Sequence, residues 1–400
     1  MPLKNPPILR VPGFKASAVS CGIKKTGGPD LALILSDNEA EVAGVFTKNS
    51  VKAAPVLYCM KRLKRGFSRA RGVVVNSGNA NACTGKAGLS HAEKTAAVVE
   101  KALGAKKGSI LVASTGVIGV PLPLEKIVGG SRELCGRLSG NGLTDASRAI
   151  MTTDAYPKTS FKTVRINNAK VTIAGIAKGA GMICPDMATM LAFILTDADI
   201  DARLLKDALK EAVEASFNSI SVDNDMSTND TVLAFANRVS AIGIEKGSIA
   251  FRAFKKALSA VCLDLALMIA RDGEGATRLI EITVKGARSR RDAERAARTV
   301  AGSYLVKAAF FGGDPNWGRI LAALGRSGAS FRQERVGIRF NKVQVVRNGI
   351  DTGREKKAAA AIKTKDVKVE VDLGGGGSSA RVWTSDLTYD YVRINSSYRT

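Results

Sequence analysis

A single histidine, His91, stands in the whole chain of 400 residues. It falls in the polar, helix-like segment LSHAEKT, where nothing resembles a nucleophile turn, so a histidine relay has one poor candidate. Aromatic residues make up only 5% of the chain, too few to interleave a basic surface with stacking platforms for single-stranded nucleic acid. The six cysteines, Cys21, Cys59, Cys83, Cys135, Cys184 and Cys262, include no CxxC pair. A zinc ribbon and a disulfide framework are thereby excluded, and a reducing compartment fits. Cys184, between Ile183 and Pro185, reads as a small packed residue and not as a nucleophile. No apolar run approaches the roughly 18 residues of a membrane span. The N-terminal MPLKNPPILRVPG has consecutive prolines and no apolar signal region. Neither membrane insertion nor export is expected, and the protein is expected in the cytoplasm.

What is present is ordinary for a globular enzyme in bulk and unusual in charge. Hydrophobic residues reach 45%, and the length suffices for two or three units with full cores. A net charge of +24 is what many nucleic-acid binders carry. The densest clusters are Lys61 to Arg71, Ala287 to Arg291 and Arg354 to Lys357. Each runs into a strand or helix pattern without a binding motif, so solvated faces are the reading; a basic nucleic-acid-binding protein stays as an alternative.

Along the chain, Ala32 to Asp37, Glu41 to Asn49 and Gly72 to Ala80 read as short strands, the last passing from Val75 into a polar loop. Residues 90 to 105 read as helix, and Ile110 to Thr115 as a buried strand ending at Gly116. Asp201 caps a helix that puts Leu204, Leu205, Ala208, Leu209, Ala212 and Val213 on one face. Asp223, Asp225 and Asp230 lack the glycine and terminal glutamate of a calcium loop, so no metal site is expected. Ser248 to Ala270 carries Phe251, Phe254, Leu258, Val261, Leu265 and Met268 at helical spacing. It ends at a loop holding Glu274. Near the end, Leu387, Tyr389 and Tyr391 alternate as in a strand with one buried face. The alternation of strands and helices sets the class as α/β.

One stretch organises the rest: Lys178 to Asp197, KGAGMICPDMATMLAFILTD. Gly179 and Gly181 permit backbone angles that side chains resist, Pro185 stops a helix, and Met190 to Leu195 is an apolar run of strand length. Thr189 sits where loop meets core. A threonine there can simply satisfy β propensity. In a chain so poor in histidine, its hydroxyl could instead be activated by its own α-amino group, provided the Ala188–Thr189 bond is cut.

This stretch resembles the self-cleavage segment of the ornithine acetyltransferase (glutamate N-acetyltransferase) family of arginine biosynthesis. So do seven further blocks in family order: NSGNANACTG from Asn76, STGVIG from Ser114, IMTTDAYPK from Ile150, SVDNDMSTNDT from Ser221, ARDGEGATRLIE from Ala270, AGSYLVKAAFFGGDPNWGRI from Ala301 and DLTYDYVRIN from Asp386. The resemblance implies a layered αββα-type fold with mixed β-sheets, similar to but not the same as that of N-terminal-nucleophile hydrolases. It implies self-cleavage into an α chain, residues 1–188, and a β chain, residues 189–400, which assemble as two copies of each. It further implies ping-pong transfer of acetyl from N-acetylornithine to glutamate through acetyl-Thr189, without a cofactor, acetyl-CoA being open as a second donor. Thr115 and Gly116 correspond to the family's oxyanion hole, and Thr152, Lys178, Glu274, Asn395 and Thr400 to its substrate contacts. Asn224 stands where a glycine is usual, Met226 where a threonine is, and Ala155 also replaces a threonine. The enzyme-class alternative is an amidohydrolase or aminopeptidase with the same nucleophile and water as acceptor.

Overall fold

The computed structural model describes residues 9–64, 68–166, 169–184 and 190–397. Ala188, Thr189 and Thr400 lie outside them. In chain order the elements begin with β1 (Phe14–Val19), β2 (Leu31–Phe46), α1 (Ala54–Lys64), β3 (Arg69–Asn79), α2 (Gly85–Leu103), β4 (Ile110–Val117), α3 (Leu124–Gly136) and α4 (Leu143–Ala149). There follow β5 (Lys158–Ile166), β6 (Ala169–Lys178), β7 (Leu191–Thr196), α5 (Ala202–Glu214), β8 (Ile220–Ser221), β9 (Thr231–Ala236) and α6 (Ile249–Arg271). The chain continues with β10 (Leu279–Ala287), α7 (Arg290–Ala301), α8 (Tyr304–Phe311), α9 (Trp317–Gly325), β11 (Gly337–Phe340), β12 (Val343–Arg347) and β13 (Ile350–Asp351). The last elements are α10 (Glu355–Ala361), β14 (Asp366–Asp372), β15 (Ser378–Ser385) and α11 (Tyr389–Ser397).

Two compact units result. The first takes the chain up to Asn218 and Asp225–Ile269; the second takes Ser219–Asn224 and the chain from Ala270 on. The expected α/β class with mixed sheets is borne out in both. In the first unit one sheet runs β4-β3-β2-β9-β7-β6-β5, with β1 added against β2. The β3–β4 and β7–β9 pairs are parallel, and the others are antiparallel. Strand β7 is buried along its whole length, as continuous apolar strands covered on both faces are. In the second unit the order is β13-β12-β11-β14-β10-β15-β8. Ile280, Ile282 and Val284 of β10 pack there against Ala293, Ala296, Ala297 and Val300 of α7.

The boundary at 188/189 falls inside the first unit, ahead of the interior strand β7, while the units part near residue 270. A cut at Ala188–Thr189 would divide a covalent chain, not two folding bodies. Asp201 caps α5 as expected, its Oδ1 accepting from Arg203 N at 2.8 Å and Leu204 N at 3.0 Å. Helix α6 buries Phe254, Leu258, Val261 and Leu265; Phe251 and Met268, at its two ends, are half-buried. His91 lies on α2. The basic stretch from Lys61 ends α1 and begins β3. Two of its described arginines serve the backbone and one pairs with a carboxylate: Arg62 donates to Gly108 O at 2.5 Å, Arg71 donates to Ser36 O and Asp37 O at 3.1 Å, and Arg69 Nε donates to Glu41 Oε1 at 2.8 Å. Among the described residues no helix is long and apolar enough to cross a membrane.

Three expectations are corrected. The strands expected at Ala32 to Asp37 and Glu41 to Asn49 are one strand, β2, whose exposed Asp37, Asn38 and Glu39 mark a register shift between Leu35 and Ala40. The polar loop expected after Val75 is still strand, because its side chains find buried partners. Ser114 Oγ donates to Asn76 Oδ1 at 2.6 Å, and Ser77 Oγ donates to Ala149 O at 2.5 Å. The segment after Leu387 is helix α11, not a docked strand. Thr388 starts it: its Oγ1 donates to Gly275 O at 2.8 Å and accepts from Tyr391 N at 3.2 Å. Tyr389 is 83% and Val392 62% exposed, so polar contacts at helical spacing anchor it, and no buried apolar face does.

Candidate active site

In the first unit four of the expected residues gather: Thr115 and Gly116 near the end of β4, Lys178 at the end of β6, and Thr152 in the loop before β5. Thr115 and Gly116 close β4, where Gly116 pairs with Gly78 of β3. Gly116 has φ +130°, and a Cβ there would stand 2.3 Å from the Gly78 carbonyl carbon, so no side chain fits. Lys178 ends β6 and is almost wholly buried. Its Nζ donates to Thr152 Oγ1 at 2.8 Å and to Thr115 Oγ1 at 3.4 Å. Three of the expected residues therefore touch. Lys178 also pairs in register with Leu191 of β7, so the chain leaves the sheet at Lys178 and re-enters it at Leu191, two positions after Thr189 in sequence.

The sequence reading missed what holds the lysine. Asp154 Oδ1 accepts from Lys158 Nζ at 2.7 Å and from Gly179 N at 2.6 Å, while Oδ2 accepts from Thr152 N at 2.9 Å. Lys178 Nζ lies 3.9 Å away from Oδ2. The Asp154 and Lys158 side chains are wholly buried. Burial alone would raise the Asp154 carboxyl; the Lys178 and Lys158 ammoniums outweigh it and hold the group far below the ordinary carboxylate range. One carboxylate thus fixes two cations and the backbone on both flanks. A signal existed: an aspartate and a lysine four apart in TTDAYPK, directly before a strand. Charges are usually read as surface, however, and burial of this pair is a tertiary fact.

In the second unit, Glu274 and Asn395 form a pair. Asn395 Nδ2 donates to Glu274 Oε2 at 2.8 Å and to Tyr391 O at 3.0 Å. Glu274 is 8% exposed. Gly275, with φ +69°, lets the loop meet α11, since a Cβ there would stand 2.6 Å from Tyr391 N. Asn224 has φ +68°, which accounts for the glycine usual at that place. Asparagine tolerates this left-handed conformation, and Asn224 Nδ2 donates to Gly302 O at 2.9 Å.

A buried cation holding hydroxyls beside a glycine strand end can bind an anionic group and steady charge that develops on a carbonyl oxygen, the equipment an acyltransferase needs. The chain matches the ArgJ family over residues 15–400. It is 51% identical over 395 residues to the arginine biosynthesis bifunctional protein ArgJ of Geobacter sulfurreducens, covering 98% of this chain and all of that one. Identity to the protein of the same name from Symbiobacterium thermophilum is 50%, with 97% of each covered. A solved chain of the Bacillus halodurans ArgJ is 42% identical with a TM-score of 0.50; the match covers 52% of this chain and 98% of that one. The chain belongs to the ArgJ family, the acetyltransferases of arginine biosynthesis, and the family expected from its motifs is borne out.

Proposed function

We propose that the chain cuts itself between Ala188 and Thr189 and that Thr189 then carries acetyl from N-acetylornithine to glutamate. The Thr189 hydroxyl attacks the acetyl carbonyl, its α-amine takes the hydroxyl proton, and ornithine leaves with a proton. Glutamate's amine then attacks the acetyl ester and frees the threonine. Thr115 and Gly116 steady the oxyanion, and Thr152, Lys178, Glu274, Asn395 and Thr400 contact substrate. Lys178 suits a carboxylate, and Glu274 an ammonium.

The observation that carries this reading is the Lys178–Thr152–Thr115 contact set at the strand ends that bracket the Thr189 loop. Cleavage has separate support. The curated relatives run the full length of this chain, whereas the solved Bacillus halodurans chain matches about half of it while being covered almost entirely. A precursor cut near its middle yields such a chain. The products, residues 1–188 and 189–400, assemble as two copies of each in the cytoplasm. The reaction as written uses no cofactor. The relatives' name, bifunctional, fits acetyl-CoA as a second acetyl donor. Initial rates with both substrates varied test the scheme: parallel double-reciprocal lines are expected, and intersecting lines would rule out an acetyl-enzyme.

Two changes probe the contacts. Glu274→Gln removes the anion but keeps an oxygen for Asn395 Nδ2, so the local structure survives. Loss of a charge-assisted contact should lower kcat/KM for N-acetylornithine by about 10- to 100-fold. Chain separation should continue, and an equal loss in both would make Glu274 structural. Deleting Ser396 to Thr400 should cost transfer about tenfold or more through lost positioning, again with cleavage intact. Unchanged transfer would leave the tail no part in the site.

A further inference from the structure

Asp230 belongs to none of the roles above, yet it is wholly buried just ahead of β9, against Met190, the residue that follows Thr189 in sequence. Its Oδ1 accepts from Met190 N at 3.0 Å. That nitrogen is bonded to the carbonyl carbon of residue 189 and lies two bonds from its Cα. The other side of Met190 is held as well, because Thr231 N donates to Met190 O at 3.1 Å. The preceding residue reaches in the opposite direction: Asn229 Nδ2 donates to Ser114 O at 2.8 Å and to Ala80 O at 2.7 Å. Ser114 O is the carbonyl joined to the Thr115 amide.

We propose that Asp230 is a positioning residue for the nucleophile, its carboxyl fixing the Met190 amide while Asn229 fixes the strand end at Thr115 and Gly116. Two adjacent side chains just ahead of β9 thereby set the spacing between attacking hydroxyl and oxyanion donors. The proposal rests on the Thr189 reading. Such spacing matters because displacement by about 1 Å can cost about 100-fold in rate.

The chemistry of the clamp separates two variants. Burial pushes the Asp230 carboxyl well above the ordinary carboxylate range, against the pull of the Met190 amide, the Lys178 ammonium and the Thr47 hydroxyl. What the Met190 amide needs is an acceptor oxygen at fixed length. Asparagine supplies the same acceptor, and alanine supplies none.

The test compares Asp230→Asn, Asp230→Ala and Thr189→Ala with the wild type for chain separation, steady-state acetyl transfer and melting temperature. Asp230→Asn should keep both rates within about tenfold of wild type, and Asp230→Ala should lower kcat and slow chain separation by about 100-fold with KM within about twofold, the signature of misplaced chemistry. Asp230→Ala with both rates within about threefold of wild type overturns the proposal. So does Asp230→Asn if it melts like wild type and loses about 100-fold, and this arm decides even where the alanine variant does not fold. An active Thr189→Ala would instead sink the nucleophile reading, leaving the two failures distinct.

Discussion

Thr189→Ala should accumulate as an uncut 42.0 kDa chain without measurable acetyl transfer. In the proposed scheme the same hydroxyl opens the Ala188–Thr189 bond and later carries the acetyl group, so its removal blocks both steps and leaves no route to the acetyl-enzyme. The loss should be complete, not partial. Thr189→Ser keeps a hydroxyl and should cut and turn over, at a reduced rate. Gel electrophoresis and a transfer assay on the two variants check this. Two chains from the alanine variant would remove Thr189 from the mechanism.

The second large effect is expected at Asp154. In Asp154→Asn the ammoniums of Lys158 and Lys178 lose their buried counter-charge. Breaking a buried ion pair by removing one partner costs about 3–5 kcal/mol. The amide has one acceptor oxygen where the carboxylate had two, so it can keep the Gly179 or the Thr152 backbone contact but not both. The melting temperature should fall, and kcat/KM measured well below it should drop by about 100-fold, the cost of a misplaced contact. The wild-type pH dependence follows from the sign of the shift. A carboxyl whose folded value lies below its unfolded one contributes fully above the unfolded value and loses that contribution as pH falls through the folded one. The pair should therefore protect the wild type down to about pH 4, the ordinary carboxylate value, and fail only below it. An Asp154→Asn enzyme that melts and turns over like wild type would make the cluster incidental.

Much of the fold was legible where local rules and burial agree. Asp201 and the leucines after it give α5, and the apolar run from Met190 gives β7, because capping and periodicity act within a few residues. The errors arose where tertiary contacts decide. Nothing local reveals that the Asp37–Glu39 kink leaves β2 continuous, or that Asn76 and Ser77 find partners inside the sheet. In the C-terminal segment a period of two in Leu387, Tyr389 and Tyr391 masked a helix whose anchors, Thr388, Tyr391 and Asn395, recur at helical spacing. The site followed the same division. Thr115, Gly116, Thr152, Lys178, Glu274 and Asn395 came from motif resemblance, and the contacts among them fit it. The carboxylates that position this equipment, Asp154 and Asp230, are unremarkable in sequence and take their meaning from burial.

The intact mass of the purified wild-type protein, taken before and after incubation with N-acetylornithine alone, tests the central claim most directly. Two chains beginning at Met1 and Thr189 are expected at the outset, and after incubation a single acetyl group on Thr189 of the second chain, removed when glutamate is added. A single uncut chain that still transfers acetyl, or an acetyl group found on the first chain, would contradict the account.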